Sequence, residues 1–328
     1  DYEESFPDLQ NITPIKDPDL IASLETKLLE EYRDCTPNLT LAIPEIVDYT
    51  TNYKFKYRGA SRMSEEYDDV FIGNYRNYLT ERGVEVNDVS LFNKHTLNVF
   101  DENGQLLRSY SIYKSLLFDC TLNGKTYHLC EGSWYEISSD FMAKLKAELD
   151  PVFIDHHDVL CECNKKLEGD YNIEASNLAS AELEVCCLDK TSIAPQGQKD
   201  VEPCDLIALN GENAELMHNK ISTRSSMLSH LFNQGVNSVI LLMQNNESKV
   251  KLNDLVESEN LRERINRDNF HVTYGIISNK RRDMKSDALP IFSRISLLRC
   301  VRNLKLMRVP VSVYLIKDNV DRKHLNDD

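Results

Sequence analysis

The sequence predicts an α+β protein, with an N-terminal antiparallel α+β domain over residues 1–150 and a C-terminal α/β domain with a mixed sheet over 151–328. Three observations predict it. A chain of 328 residues is long enough to divide into two cores. Residues 94–138 alternate apolar and polar positions around turn residues such as Asn123-Gly124, the pattern of antiparallel hairpins. Beyond Asp150-Pro151, where a residue before proline disfavours helix, short strand patterns alternate with long helical ones.

Taken in order, Ile21, Leu24, Leu28 and Leu29 recur at helical spacing within 17–34, with Asp17 placed to cap and Pro18 at the first helical position. A second helix is expected around 65–82. Strands follow from HTLNVF, a long stretch over 106–121 and KTYHLCEGSWYEI, and a helix over 139–149 closes the first domain. In the second, 181–188, 203–209 and 214–220 read as short strands, the last two joined by Asn210-Gly211. Helices are expected over 225–244, 251–267 and 296–307, and strands over 271–278 and 311–316.

No apolar run approaches the roughly 20 residues that span a bilayer, so no membrane contact is expected. The acidic, polar start gives no signal-peptide pattern, and the missing initiator Met implies residues upstream. Nine irregularly spaced cysteines favour reduced thiols and a cytoplasmic protein. The net charge of −15 argues against coating nucleic acid over the whole surface, yet residues 261–310 carry 12 Lys/Arg against 4 Asp/Glu. That segment reads either as a localised polyanion site or as a surface ion-paired with the chain's own acids. Signatures of a P-loop, a dinucleotide-binding turn, a nucleophile elbow and a zincin helix are missing, which argues against those enzyme classes.

Four groups of residues have the composition of a site. Asp205 lies on one predicted strand and His218-Asn219-Lys220 on the next; the two-residue strand period puts His218 and Lys220 on one face, beside Asp205. Glu168 lies upstream as a further carboxylate. Acids on neighbouring strands can hold Mg²⁺ or Mn²⁺ at a scissile phosphate while a Lys orients water; His218 stands where an acid is usual, and would be a ligand or a proton shuttle. Arg224 and the one-sided set Ser226, Ser229, His230 and Asn233 open the helix at 225, where free N–H groups favour phosphate; N-capping by Ser225 over buried leucines explains the same residues. His156, His157, Cys161, Cys163, Cys186, Cys187 and Cys204 are spaced poorly for one zinc site. Arg281, Arg282, Arg299 and Arg302 head the basic row of 261–310, with a salt-dependent grip on a phosphate backbone as one reading and intramolecular pairing as the other.

Several segments, in order along the chain, resemble a sporadically distributed bacterial family of unknown function encoded in restriction-type and phage-defence neighbourhoods. They include Leu41-Ala42-Ile43-Pro44-Glu45-Ile46, Gly132-Ser133-Trp134-Tyr135-Glu136-Ile137, Glu168-Gly169-Asp170-Tyr171-Asn172, Cys204-Asp205-Leu206-Ile207, Ser229-His230-Leu231-Phe232 and Leu289-Pro290-Ile291-Phe292-Ser293. The resemblance implies members longer at the N-terminus and a role in defence. The C-terminal half is also similar to the restriction-endonuclease core. The reading that follows is a defence-associated nucleic-acid-binding protein, bound through 261–310, with metal-dependent phosphodiesterase activity from Asp205, His218 and Lys220 and a metal on Glu168 and Asp205. The alternative is a non-catalytic nucleic-acid sensor or binding module. A protein partner in a defence complex and self-association are both compatible with it.

Overall fold

The computed structural model describes residues 12–34, 39–43, 53–67, 70–101, 103–179, 181–195, 201–221 and 225–320. It has the α+β composition expected, with two antiparallel sheets and one mixed sheet, and it divides into two compact units, Asp1–Lys144 and Leu145–Asp328.

The first unit begins with β1 (Ile12–Pro14) and α1 (Pro18–Asp34), which buries Leu24, Leu28 and Tyr32. It continues through β2 (Leu39–Leu41), β3 (Lys54–Arg58), α2 (Ile72–Thr80), α3 (Ser90–Lys94), β4 (Thr96–Phe100), β5 (Leu106–Ser111), α4 (Ile112–Ser115), β6 (Leu116–Leu122), β7 (Lys125–Cys130) and β8 (Ser133–Ile137). These strands form an antiparallel sheet β1-β8-β7-β6-β2 and a smaller one, β3-β4-β5. The helix expected over 65–82 starts only at Ile72, because Tyr67 is drawn into an extended bridge with Phe55. The single strand expected over 106–121 is interrupted: Ser111 Oγ accepts the N–H of Lys114 and caps the one turn of α4, whose Ile112 and Tyr113 are buried. The Asn123-Gly124 turn forms as read, with both residues at positive φ.

The helix α5 (Ser139–Leu149) leads into the second unit: β9 (Phe153–Ile154), α6 (Glu168–Leu178), β10 (Cys186–Cys187), β11 (Leu206–Asn210), β12 (Asn213–Ile221), α7 (Ser225–Gln244), α8 (Asn246–Leu255), α9 (Glu259–Asn266), β13 (Phe270–Ser278), α10 (Ile291–Leu306) and β14 (Val311–Lys317). Strand pairing over 181–188 shrinks to two residues, since Ala181–Leu183 curl into a 3-10 turn. The helix expected over 251–267 is two: Ser258 Oγ accepts the N–H of Leu261 and starts α9 afresh, as Asn245 does for α8 through Ser248.

The mixed sheet runs β10-β11-β12-β13-β14-β9. β10, β11 and β12 are antiparallel neighbours, whereas β12, β13, β14 and β9 are parallel. α6 covers one face, where Tyr171 and Ala175 pack on Leu206, Ala208, Met217, Ile277 and Ile316. α7 covers the other and packs on α10; there Tyr274 donates its hydroxyl to the Phe232 carbonyl, 2.7 Å away. Tyr274 lies directly above Gly235, where even a methyl group would come within 2.6 Å of the hydroxyl.

Candidate functional site

The two-residue turn is Gly211-Glu212, one position beyond the Asn210-Gly211 expected, because Asn210 still pairs with Asn213; it fixes the register of β11 on β12, with Leu206 opposite Met217. This register brings Asp205, just before β11, alongside His218. Its Oδ2 accepts the backbone N–H of Asn219 at 2.7 Å and its Oδ1 accepts from Asn172 Nδ2 at 3.2 Å. Asn219 Nδ2 closes the ring by donating to Asn172 Oδ1 at 2.9 Å. Asn219 faces α6 and needs Gly275 on the neighbouring strand: a Cβ there would lie 2.1 Å from Asn219 Oδ1.

One turn earlier on α6, Glu168 receives two donors. Lys220 Nζ reaches its Oε1 at 2.9 Å and the Ile221 N–H reaches its Oε2 at 2.9 Å. Glu168 and Asn172 are four residues apart and share a helix face, so α6 gathers Lys220 and Asp205 at one end of the sheet. Glu168, Asp205 and Lys220, predicted together, are therefore brought together.

The electrostatics are those of a crowded acidic site. Burial raises the Asp205 carboxyl to about 7 against the pull of the Asn219 N–H, with the charges of Glu168, Asp189 and Glu202 adding to the rise. Burial likewise raises Glu202, helped by Asp189 and opposed by Lys220. The Asp189 carboxylate sits 2.9 Å from where a Cβ on Gly169 would be. Asp189 and Glu202 were not foreseen, although both come from the connection between β10 and β11 that the Asp205 assignment already implied.

His218 lies in the core under α7 with 3 % of its surface exposed, and its Nε2 has no hydrogen-bond partner among the described residues. Burial, with His230 nearby, lowers it to about 3, so it is a neutral imidazole at any physiological pH. His230 on α7 is lowered to about 4 by burial and by the charge of Lys220. Ser229 is on the same helix, where its carbonyl accepts from Asn233 at 2.8 Å. Arg224 and the side chain of Ser226 lie outside the described residues.

Among the described residues no three His, Cys, Asp or Glu side chains are placed to hold a metal ion. The eight described cysteines are free thiols, and His157, grouped with them in the sequence, hydrogen-bonds Glu215 instead. In the basic segment, Arg281 pairs with Asp283. Arg282 donates to the Leu315 carbonyl at 2.8 Å and lies over the Tyr314 ring. Arg299 reaches Asn233 Oδ1 at 3.1 Å, and Arg302 pairs with Glu148 at 2.9 Å. These four arginines thus have intramolecular partners, and the pairing of Arg281 and Arg302 with carboxylates lowers the charge those two can offer a polyanion. No helix among the described residues is long and apolar enough to cross a membrane.

No curated protein and no solved structure matches the chain. A sequence-family model matches residues 1–317, nearly the whole length. The chain accordingly belongs to the family of unknown function DUF6119.

Proposed function

We propose that the C-terminal unit cleaves phosphodiester bonds in nucleic acid, in a bacterial protein that serves defence against phage, with Mg²⁺ or Mn²⁺ as the assisting cation. The observation that carries this reading is the meeting of Glu168, Asp205 and Lys220 in a unit whose elements run α6, β10, β11, β12, α7, α8, α9, β13. With α8 and α9 set aside as additions, helix, three antiparallel strands, helix and parallel strand is also the order of the restriction-endonuclease core. Lys220 and the Ile221 N–H offer two donors to a phosphate oxygen. A carboxyl near 7, as Asp205 has, can take a proton from attacking water at neutral pH. The oxygen donor Glu168 suits a hard cation, but it would have to leave Lys220 and the Ile221 N–H to close on one, and Asp205 is then kept for the proton rather than for the metal.

Assays on single- and double-stranded DNA and RNA, in Mg²⁺ and in Mn²⁺, test the reading. Cleavage is expected in the wild type and should be lost in both Lys220→Ala and Asp205→Asn, with Asp205→Asn still binding the nucleic acid. The second reading, a sensor that binds nucleic acid without cutting it, is favoured by His218, a dry neutral imidazole where an acid would complete the site. Binding without cleavage in either metal would select it.

A further inference from the structure

We propose that Glu168 is an internal substitute for phosphate, holding closed in the free protein the subsite that a phosphate oxyanion of the substrate must enter. The inference rests on the reading of this site as a phosphate site. A carboxylate and a phosphate present paired oxygens of similar bite. Here each Glu168 oxygen takes one donor, Lys220 Nζ at 2.9 Å and the Ile221 N–H at 2.9 Å. One donor is a cation and the other a backbone amide at a strand end, the combination that charge-assisted phosphate recognition uses. The Ile221 amide is fixed by the strand and cannot turn elsewhere, so an incoming phosphate has to displace the carboxylate to reach it.

Two further features point to a ligand. His218 Nε2, in a residue 97 % removed from solvent, has no hydrogen-bond partner among the described residues. His230 is near enough to influence it, and is itself kept neutral by burial and by the charge of Lys220. His218 thus holds a buried polar atom without a partner among the described residues, two positions from Lys220 on β12. The contact is also within reach from outside: the side chains of Lys220 and Glu168 are 24 % and 28 % exposed. A partly exposed ion pair of this kind is weak enough for a ligand to replace.

Titration calorimetry of the whole chain with inorganic phosphate tests the substitution. Glu168→Gln keeps an acceptor for the Ile221 N–H and removes the charge that holds Lys220. It should bind phosphate about threefold or more tightly than the wild type, the scale of a partly exposed ion pair, while Lys220→Ala should lose binding. Glu168→Asp keeps the charge but falls one methylene short of the two donors, and should bind with intermediate strength; it also serves should the Gln variant fold poorly. Equal or weaker binding by both Glu168 variants, with Lys220→Ala still defective, would overturn the substitution and leave the phosphate reading standing. Absence of phosphate binding in the wild type and in every Glu168 variant would remove both.

Discussion

Two carboxylates in the same sheet, Glu215 and Asp205, are treated in opposite ways. Glu215 points from β12 towards the face under α6, with 3 % of its surface exposed. Its oxygens accept from His157 Nε2 at 3.2 Å, Asn210 Nδ2 at 3.1 Å and the Thr273 hydroxyl. His157 can only donate there, because its Nδ1 already accepts the N–H groups of Val159 and Leu160, each at 3.1 Å. Burial pushes Glu215 up, but the hydrogen bond and charge of His157, the Thr273 hydroxyl and His271 outweigh it and hold the carboxyl below its ordinary range. Asp205 has two donors and three neighbouring acids, and ends near 7. One carboxylate is a structural joint whose needs are met. The other is held at a cost to the fold, which is how groups kept for chemistry are found.

The largest expected effect comes from breaking the joint. Glu215→Ala leaves His157, Asn210 and Thr273 donating into a cavity and should destabilise the C-terminal unit by about 3–5 kcal/mol, read from urea denaturation at pH 7. Because the folded Glu215 is depressed, its contribution is present above its unfolded pKa and fades as pH falls through the folded value. The variant should therefore lose part of the acid-side fall in stability. A change below about 1 kcal/mol, the scale of an ordinary surface substitution, would remove the contrast with Asp205.

Asp205→Asn should act with the opposite sign. A carboxyl raised from 3.8 to about 7 stabilises the fold fully only below its unfolded pKa, and that share is lost as pH rises through about 7. At pH 8 the variant should be more stable than the wild type by on the order of 1–3 kcal/mol, less than the full linkage because an amide serves Asn172 and Asn219 less well. His218 and His230, lowered to about 3 and about 4, cost stability as pH falls below about 6.5. The wild type should thus decline on both sides, and Asp205→Asn should flatten the alkaline side alone. Destabilisation at pH 8 would make Asp205 a structural joint like Glu215.

What the sequence made legible follows from the range of each interaction. Asp205 and Lys220 were readable because a two-residue turn, Gly211-Glu212, signalled by Asn210-Gly211, converts strand period into register. Glu168 came from its place upstream and from resemblance. Asn172 and Asn219 were not readable: each is an isolated polar residue whose partner is fixed only when α6 crosses β12, 47 residues apart in sequence. The Glu215–His157 joint spans 58 residues and was equally hidden, so His157 was grouped with nearby cysteines. Composition located the basic segment, but not Asp283, Glu148 and the Leu315 carbonyl, which take up its arginines. Capping serines at 111 and 258 cut two elements that apolar patterning alone ran together.

The finest test concerns how Asp205 comes to differ from Glu215. If neighbouring acids help raise it, removing them one at a time should lower it in the order of their influence: Glu168 most, then Asp189, then Glu202. Glu168→Gln also disturbs Lys220, so Asp189→Asn and Glu202→Gln are the cleaner probes. A general base must be deprotonated to work, so the acid limb of kcat/KM against pH reports its pKa in the free enzyme. Each substitution should move that limb to lower pH by a fraction of a unit, Asp189→Asn further than Glu202→Gln, with well under 1.4 kcal/mol involved in either. Burial, the leading cause, is untouched by both, so the limb should stay above the ordinary Asp range even in the double variant. A limb that does not move in either would mean that the titrating base is some other group and that Asp205 only holds Asn172 and Asn219 in place.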